Sequence, residues 1–285
     1  MEMRAMTLPF PCHCASSYLS PLPSLSSPQF SSHHATSLAK PLSSSSSHWR
    51  VTPVTSRRSS LITCFSDMNP QAELDSNFDI KKKAADVVDE LKGTSIFLVG
   101  MKSAMKTHIG KVLADELRYY FFDSDSLVED AFGGEAAAKL AFQSDPKGFR
   151  ESETEVLKQL SAMGRLVVCA GDSAVQSSTN LALLRDGISV WIDLPLDVLA
   201  KEAPQTITNP DSFPEVLAAL SMRYNDLREG YGTADATVSL QRLATQQGYD
   251  DLDSVTTNDM AIETLKQVEK LVKVRKMMEA AAKPF

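Results

Sequence analysis

A glycine loop between a short apolar run and a helical pattern constrains the fold of this chain more than any other segment. The apolar sequence SIFLV occupies 95–99, the loop sequence GMKSAMKT occupies 100–107, and apolar residues with helical spacing follow over 107–117. In a phosphate-binding loop, a strand is followed by G-x-x-x-x-G-K-[ST] and then by a helix, whose first N–H groups face an anion. The segment therefore predicts an α/β protein with such a loop after its first strand.

One position of the loop departs from the pattern. Gly100, Lys106 and Thr107 match it, whereas Met105 stands where the second glycine belongs. Glycines in these loops allow positive φ and close approach of the backbone to phosphate. If the position needs positive φ, Met105 brings strain on the order of 1 kcal/mol or more. The nucleotide site is therefore predicted to be degenerate, and the loop then serves only to connect a strand to a helix.

The rest of the chain alternates apolar runs with helical patterns. Further strands are predicted at 119–122, 165–170, 188–194 and 236–240. Helices are predicted at 79–91, 134–142, 146–162, 178–186, 195–202, 214–228 and 258–281. This alternation predicts an α/β fold with a five-stranded parallel sheet covered on both faces, the three-layer α/β/α architecture of P-loop kinases. Ligands of such sheets bind at the carboxyl ends of the strands.

The first 66 residues differ in composition from the rest. They contain 18 serines, five basic residues and one acid, and prolines interrupt them throughout. Such a segment buries too little apolar surface to fold, and a serine-rich, basic N-terminus is typical of organelle transit peptides. We predict a disordered chloroplast transit peptide over 1–66, a linker and leading helix over 67–94, and a folded domain over 95–282, with the stroma as the destination. A mitochondrial transit peptide and a disordered tail without a targeting role are the alternatives.

Charge and residue counts exclude several classes of function. The chain carries −7, and since its first 66 residues carry an excess of four positive charges, the remainder carries −11. No nucleic-acid partner is expected without clustered basic charge, and no apolar run approaches the roughly 20 residues of a membrane span. His108 is the only histidine beyond residue 66, which excludes a histidine-based metal site or a Ser-His-Asp triad. Cys169 lies in an apolar run and is interpreted as a buried residue.

The chain resembles the shikimate kinase family over almost all of 80–280. The resemblance rests on the loop, the triplet Asp123-Ser124-Asp125, the segment FRESE at 149–153, the segment VVCAG at 167–171, and the segment YGTADATVSL at 231–240. The chain is most similar to a plant, plastid-targeted shikimate kinase-like branch of that family. The resemblance implies an association with chloroplast biogenesis rather than with the kinase reaction.

The resemblance also implies roles for individual residues, because shikimate kinases transfer the γ-phosphoryl group of ATP to a shikimate hydroxyl. Lys106 would hold the β- and γ-phosphates, Thr107 would hold magnesium, and Asp123 would support that metal through water. Asp125 would orient the acceptor hydroxyl and take its proton. Arg150 would pair with the shikimate carboxylate, a task suited to its planar fork of donors.

Other family-equivalent positions surround the same pocket. Gly171 belongs to a turn whose backbone donors face the substrate, and Glu153 would support the arginine before it. Arg228 is a second candidate for the shikimate carboxylate, with Arg223 as its competitor. Without the resemblance, Asp123 and Asp125 are equally well explained as solvated acids in a turn at the end of a strand. Arg150 is then explained as one member of an exposed salt bridge on a helix.

Three departures from the family pattern count against catalysis, and Met105 is the first. The second is the glycine run of active members, which is broken here to Gly171-Asp172-Ser173, so that Asp172 adds a negative charge near an anionic substrate. The third is the lid, which carries an arginine in active members, whereas 203–215 (APQTITNPDSFPE) contains no basic residue. By analogy with other phosphoryl-transfer arginines, this loss costs on the order of 10³ or more in rate.

Three functions stay open at this point. The leading hypothesis is a non-catalytic plastid protein that acts through an unknown plastid protein or small ligand, with no working catalytic residue, no cofactor and no metal. The second is an active shikimate kinase that uses ATP and Mg²⁺, favoured by the retained Lys106, Thr107, Asp125 and Arg150. The third is a sensor that binds a nucleotide or phosphometabolite without turnover.

Overall fold

The computed structural model describes residues 70–202 and 213–282, with side chains from Phe78 onward. Within these ranges the chain forms five strands and ten α-helices. The strands are β1 (Ile96–Val99), β2 (Tyr120–Asp123), β3 (Leu166–Cys169), β4 (Ile188–Asp193) and β5 (Ala236–Ser239). The helices are α1 (Pro70–Leu91), α2 (Ala104–Leu117), α3 (Ser124–Ala131), α4 (Glu135–Ser144), α5 (Pro146–Ser161), α6 (Ser178–Leu184), α7 (Leu196–Glu202), α8 (Phe213–Tyr231), α9 (Leu240–Gln247) and α10 (Thr257–Ala281).

The five strands form one parallel sheet in the order β2-β3-β1-β4-β5. The central strand β1 pairs through Ile96 with Val167 of β3 on one side and with Ile188 of β4 on the other. Every residue of β1 and β3 is buried, as expected for parallel strands whose two faces are both covered by helices. The predicted P-loop kinase-type fold with a five-stranded parallel sheet is confirmed.

The first helix owes its place to a regular apolar face. Ile80, Ala84, Val87 and Leu91 recur every three or four residues along α1, and each is at most 1 % exposed. Residues at this spacing share one side of a helix, and α1 packs against α2 and α10 with them. The closing helix α10 begins at a reciprocal capping pair between Thr256 and Asp259, which satisfies N–H groups of its first turn.

The helix after the glycine loop begins three residues earlier than its periodicity predicts. Ser103 caps it, since its Oγ accepts a hydrogen bond from the N–H of Lys106 at 3.1 Å, so α2 starts at Ala104. Met105 therefore lies in the first helical turn and has no positive φ. The backbone strain expected at Met105 is absent, because helical geometry is open to any side chain.

Two short helices are not predicted by the sequence pattern. The helices α3 and α9 have eight residues each and follow β2 and β5 directly, and two turns are too few to show helical periodicity clearly. The first helix also starts earlier than predicted, at Pro70. The predicted transit peptide over 1–66 and residues 203–212 of the lid lie outside the described residues. Within the described ranges, no helix has the length and apolar composition needed to cross a bilayer.

Gly110 brings α2 into direct contact with the sheet, and this contact is testable. A Cβ at this position would come within 2.8 Å of both Cys169 Sγ and Phe121 Cε2. Alanine favours a helix by up to about 1 kcal/mol over glycine, but the overlap would force α2 away from β2 and β3. We expect Gly110→Ala to lower the free energy of unfolding by about 1–3 kcal/mol, as measured by urea denaturation of the full-length chain.

The matched control is His108→Ala, because His108 is exposed on the same helix. This variant should change the free energy of unfolding by less than about 0.5 kcal/mol. Equal effects of the two substitutions would contradict a specific contact at Gly110.

Candidate functional site

The carboxyl ends of β1, β2 and β3 bring three loops together. After β1, Gly100 has a φ of +132°, and a Cβ there would lie 2.5 Å from the carbonyl oxygen of Ile192, so only glycine fits. The last residue of β2, Asp123, is in register with Cys169 at the end of β3, and Gly171 follows shortly after. The site residues predicted from the sequence therefore meet at the edge of the sheet where parallel α/β folds bind ligands.

Lys106 is buried and held by the backbone of its own chain. Its side chain is 5 % exposed, and Nζ donates hydrogen bonds to the carbonyl oxygens of Gly100 at 2.6 Å and Ala170 at 3.0 Å. The nearest carboxylate oxygen, Oδ1 of Asp172, lies 4.0 Å from Nζ. A buried ammonium group is costly unless it is paired and hydrogen-bonded. The ends of β1 and β3 together with Asp172 supply these partners inside the folded chain.

Asp172 stands between two cations at the start of the short 3₁₀ helix after β3. Its Oδ1 faces Lys106 as described, and its Oδ2 accepts a hydrogen bond from Nε of Arg223 at 3.3 Å. The hydroxyl of Tyr231 donates to the backbone carbonyl of Asp172 at 3.2 Å. Tyr231 is itself buried and stacks on Trp191, with ring centres 5.8 Å apart. The position of this carboxylate is thus fixed by the protein core.

The residues after β2 combine a helix cap with a contact to the glycine turn. Asp123 Oδ1 accepts hydrogen bonds from the N–H groups of Asp125 at 3.1 Å and Ser126 at 3.3 Å, which makes Asp123 the N-cap of α3. The Oγ of Ser124 accepts a hydrogen bond from the N–H of Gly171 at 2.9 Å. Asp123 therefore has a local structural task, and one N–H of the glycine turn is already satisfied.

Asp125 is a half-buried carboxylate that lies against the glycine turn. A Cβ on Gly171 would lie 2.0 Å from Asp125 Oδ1, so this approach requires glycine. Burial raises the pKa of Asp125 to about 6; the charges of Lys106 and Lys102 oppose the rise, and neighbouring aspartates add to it. Lys102 is an exposed partner whose Nζ lies 4.0 Å from Asp125 Oδ2.

The first turn of α2 receives a carboxylate from elsewhere in the chain. The N–H of Ala104 donates a hydrogen bond to Oε2 of Glu202, the last residue of α7, at 2.7 Å. Free N–H groups at a helix N-terminus attract anions, and this one is taken by the chain itself. The adjacent Met105 is half-buried and packs against the hydrophobic core.

A cavity of about 330 Å³ opens beside these groups, between α3, α4, α5 and α8. Arg150 and Arg223 both line it, together with Asp125 and Asp172. Arg228 is exposed and is not among its lining residues. The structure therefore brings Arg223, rather than Arg228, to the position expected for a carboxylate-binding arginine.

Glu153 forms a hydrogen bond with the glycine turn and does not support Arg150 as the resemblance implies. Its Oε1 accepts a hydrogen bond from Oγ of Ser173 at 2.6 Å, whereas Arg150 has no carboxylate within 4.0 Å among the described residues. Burial raises the pKa of Glu153, against the opposing effects of the Ser173 hydrogen bond and the Arg150 charge.

The residues at this edge do not fit ATP and Mg²⁺ in the way that the family resemblance implies. Lys106 donates hydrogen bonds to two carbonyl oxygens and lies beside Asp172. Glu202 accepts a hydrogen bond from the N–H of Ala104, and Asp123 caps a helix. Thr107 is half-buried in α2. In the part of the chain that the structure describes, no three His, Cys, Asp or Glu side chains are grouped to hold a metal ion.

A larger cavity, of about 860 Å³, lies at the opposite edge of the sheet, beside the turns that precede β1, β2 and β3. Lys92, Arg118 and Arg165 line it, and all three have positive φ. Lys92 and Arg118 directly follow α1 and α2, where cations complement the negative ends of helices. The chemistry predicted from the sequence lies at the carboxyl edge, so we assign the candidate site to the smaller cavity.

These features define a P-loop kinase-type α/β protein in which the side chains of Lys106 and Glu202 are hydrogen-bonded to backbone groups between β1 and α2. A family model described as shikimate kinase matches residues 102–252, and the chain belongs to the shikimate kinase family. It is 49 % identical over 264 residues to an Arabidopsis thaliana protein named "Probable inactive shikimate kinase like 1, chloroplastic", covering 90 % of this chain and 93 % of that one.

Other similar relatives are named as kinases. The chain is 40 % identical over 202 residues to "Shikimate kinase 2, chloroplastic" of Oryza sativa subsp. japonica, covering 68 % of this chain and 66 % of that protein. A crystal structure of shikimate kinase from Bacteroides thetaiotaomicron matches with a TM-score of 0.51 at 22 % identity, covering 62 % of this chain and 98 % of that one. The resemblance expected from the sequence is confirmed, and the solved structure supports the fold.

The half-buried Asp125 gives the stability of the protein a specific dependence on pH. Its folded-state pKa of about 6 lies above the ordinary value of 3.8, so the folded chain binds more protons than the unfolded chain between these pH values. Its contribution to stability therefore falls as pH rises from about 4 to about 6. We expect Asp125→Asn to be more stable than the unchanged protein by about 1–3 kcal/mol at pH 7.5, and this gain should shrink towards pH 4.

Urea denaturation at several pH values measures this difference. Asp130→Asn is the control, because Asp130 is exposed on the same helix, and it should leave the pH profile of stability unchanged. An Asp125→Asn variant that is less stable than the unchanged protein at pH 7.5 would refute the account of this carboxylate.

Proposed function

We propose that this protein is a non-catalytic member of the shikimate kinase family that acts in chloroplasts by binding a small ligand or a protein partner. The observation that carries the proposal is the state of Lys106. Its ammonium group is hydrogen-bonded to two carbonyl oxygens and faces the Asp172 carboxylate. Phosphoryl transfer depends on positioned cations that neutralise phosphate charge, and this cation is already neutralised.

Two further features support the loss of catalysis. The N–H of Ala104 binds Glu202, so a donor of the phosphate loop is also occupied by a negative side chain. The lid segment lacks the arginine expected from active relatives. Because these defects concern the loop, the glycine turn and the lid, they affect separate parts of the catalytic machinery, while the buried core around them is intact.

A chloroplast location and a role in chloroplast biogenesis complete the proposal. The serine-rich composition of 1–66 supports import, with the stroma as the destination. The word chloroplastic appears in the names of relatives from Arabidopsis and rice. The role in biogenesis rests on the likeness to the plant shikimate kinase-like branch.

The competing function is phosphorylation of shikimate with ATP. It is favoured by the retained Lys106, Asp125 and Arg150 and by the kinase names of several relatives. We expect the purified full-length chain to form no shikimate-dependent ADP above background, with an active plant shikimate kinase as the positive control. Turnover within about tenfold of that control would refute the proposal.

The negative charge of Asp172 offers a direct test of why the site rejects nucleotide. We expect ATP with Mg²⁺ at several millimolar to leave the unfolding temperature of the unchanged protein unaffected, and this outcome would exclude a nucleotide sensor. Asp172→Asn keeps the size of the side chain and removes its charge. This variant should bind ATP at least tenfold more tightly, and heat unfolding should show it as ligand-dependent protection.

Asp197→Asn, at an exposed position on α7, is the matched control and should not alter ATP binding. Tight ATP binding by the unchanged protein would contradict the role given to Asp172. Little turnover is expected even from the improved variant, because the lid is unchanged. Met105→Gly, combined with it, tests whether the methionine blocks nucleotide in addition.

A further inference from the structure

The larger cavity, at the edge of the sheet opposite the glycine loop, is lined by charged side chains that are not paired with one another. Its volume of about 860 Å³ is typical of a small-molecule site. Among the described residues, none of its charged groups lies within 4.0 Å of an opposite charge, so their charges are available to a ligand. The four cations and three carboxylates of this lining are Lys81, Lys92, Arg118, Arg165, Asp89, Asp115 and Glu116.

Three of the cations are brought together by the turns that precede the strands. The carbonyl oxygen of Gly93, next to Lys92, accepts a hydrogen bond from the N–H of Arg165 at 2.8 Å. The carbonyl oxygen of Arg165 accepts one from the N–H of Tyr120 at 3.0 Å, and Tyr120 lies two residues after Arg118. A Cβ on Gly93 would lie 3.4 Å from Cγ and 3.7 Å from Nε of Arg165. The Arg165 side chain therefore lies across the turn that carries Lys92.

The backbone of these three basic residues is unusual. Lys92, Arg118 and Arg165 have φ values of 51°, 56° and 59°, and in the described ranges no other non-glycine residue has a positive φ. This conformation is disfavoured for residues with a side chain, and glycine usually occupies it after a helix. Each of the three positions instead carries a long basic side chain, and all three line one cavity. Backbone strain of this kind clusters at functional sites.

A buried hydroxyl at the same wall also lacks a partner. Tyr119 lines the cavity and is 9 % exposed, and its Oη has no hydrogen-bond partner among the described residues. Burial raises the pKa of Tyr119, whereas the backbone of Gly93 and the charge of Arg165, both nearby, oppose the rise. A buried donor without an acceptor is unfavourable. An anion held by Arg165 would supply the missing acceptor.

The carboxylates of the lining lie on the helices rather than on the turns. Asp89 belongs to the last turn of α1, three residues before Lys92, and Asp115 and Glu116 belong to the last turn of α2, before Arg118. With a rise of 1.5 Å per residue, the acids are set back along the helices from the cations. Ionised carboxylates accept hydrogen bonds and donate none. They would repel an anion that filled the whole cavity, but they suit hydroxyl groups of a ligand.

We propose that this cavity binds a phosphate monoester of a small polyhydroxylated molecule, such as a sugar phosphate. Its phosphate would pair with Lys92, Arg118 and Arg165 and accept the hydrogen bond of Tyr119, a task suited to the planar forks of arginine. Its hydroxyl groups would donate to the carboxylates of α1 and α2. The inference goes beyond the proposed function, because a site at this edge does not depend on whether Lys106 takes part in catalysis.

Isothermal titration of the full-length chain tests the inference. The probes are glucose 6-phosphate and ribose 5-phosphate, together with glucose and ribose, which lack the phosphate, and inorganic phosphate, which lacks the hydroxyl-bearing body. We expect at least one ester to bind tenfold or more tightly than its parent sugar and than inorganic phosphate. No detectable binding of either ester at about 10 mM, or equally tight binding of inorganic phosphate or the sugars, would overturn it.

Arg165→Gln locates the binding, because Arg165 is exposed and its replacement leaves the core in place. Loss of its charge should weaken binding of the ester at least tenfold. Arg242→Gln, at an exposed position on α9, is the matched control and should leave binding unchanged. Undiminished binding by Arg165→Gln, or an equal loss in both variants, would refute a site at this cavity.

Tyr119→Phe distinguishes binding from a structural role. The hydroxyl has no partner within the described chain, so its removal should not lower the free energy of unfolding without ligand. The same variant should bind the ester at least threefold more weakly. A variant that loses stability but keeps its affinity would show that the hydroxyl serves the fold, against the proposal.

Competition with nucleotide separates this cavity from the glycine loop at the other edge. Magnesium covers terminal phosphate oxygens of ATP, so millimolar ATP with Mg²⁺ should not displace the bound ester. Displacement would place the ester at the glycine loop and overturn the inference.

Discussion

The site is organised around one buried charge, the ammonium group of Lys106. A cation at this depth must be compensated, and here the carbonyl oxygens of Gly100 and Ala170 and the carboxylate of Asp172 compensate it. These partners join the ends of β1 and β3 to the first turn of α2, so the loop is closed around its own lysine. These contacts hold the loop after β1 against the end of β3.

Most of the fold could be predicted from the sequence, because its strands are buried on both faces. Apolar runs such as 95–99 and 165–170 stand out between helical patterns, and all five strands are found where those patterns place them. The beginning of α2 could not be fixed in this way, since a cap at Ser103 decides it and periodicity does not. The short helices α3 and α9 could not be predicted either, because eight residues are too few to show helical periodicity clearly.

The candidate site was predictable in its members but not in its contacts. The loop, the aspartates after β2 and the glycine turn are local motifs, and the topology of the sheet brings them to one edge. The contact of Glu202 with Ala104 joins residues 98 positions apart, and that of Arg223 with Asp172 joins residues 51 apart. The one available signal for Glu202 was its place near the end of the helix after β4, at the same edge. Which arginine on α8 faces the cavity depended on helix phase, which one residue of misalignment reverses.

The hydrogen bond from Ala104 to Glu202 has a consequence for the origin of such a protein. In an enzyme, a helix start kept free for substrate is a local weakness that the bound substrate repairs. Here the Glu202 side chain accepts the hydrogen bond of that N–H, so the resting fold already has a contact that a bound anion would otherwise supply. Under the proposed function, loss of catalysis and gain of stability are two aspects of one change, in keeping with the general trade between activity and stability.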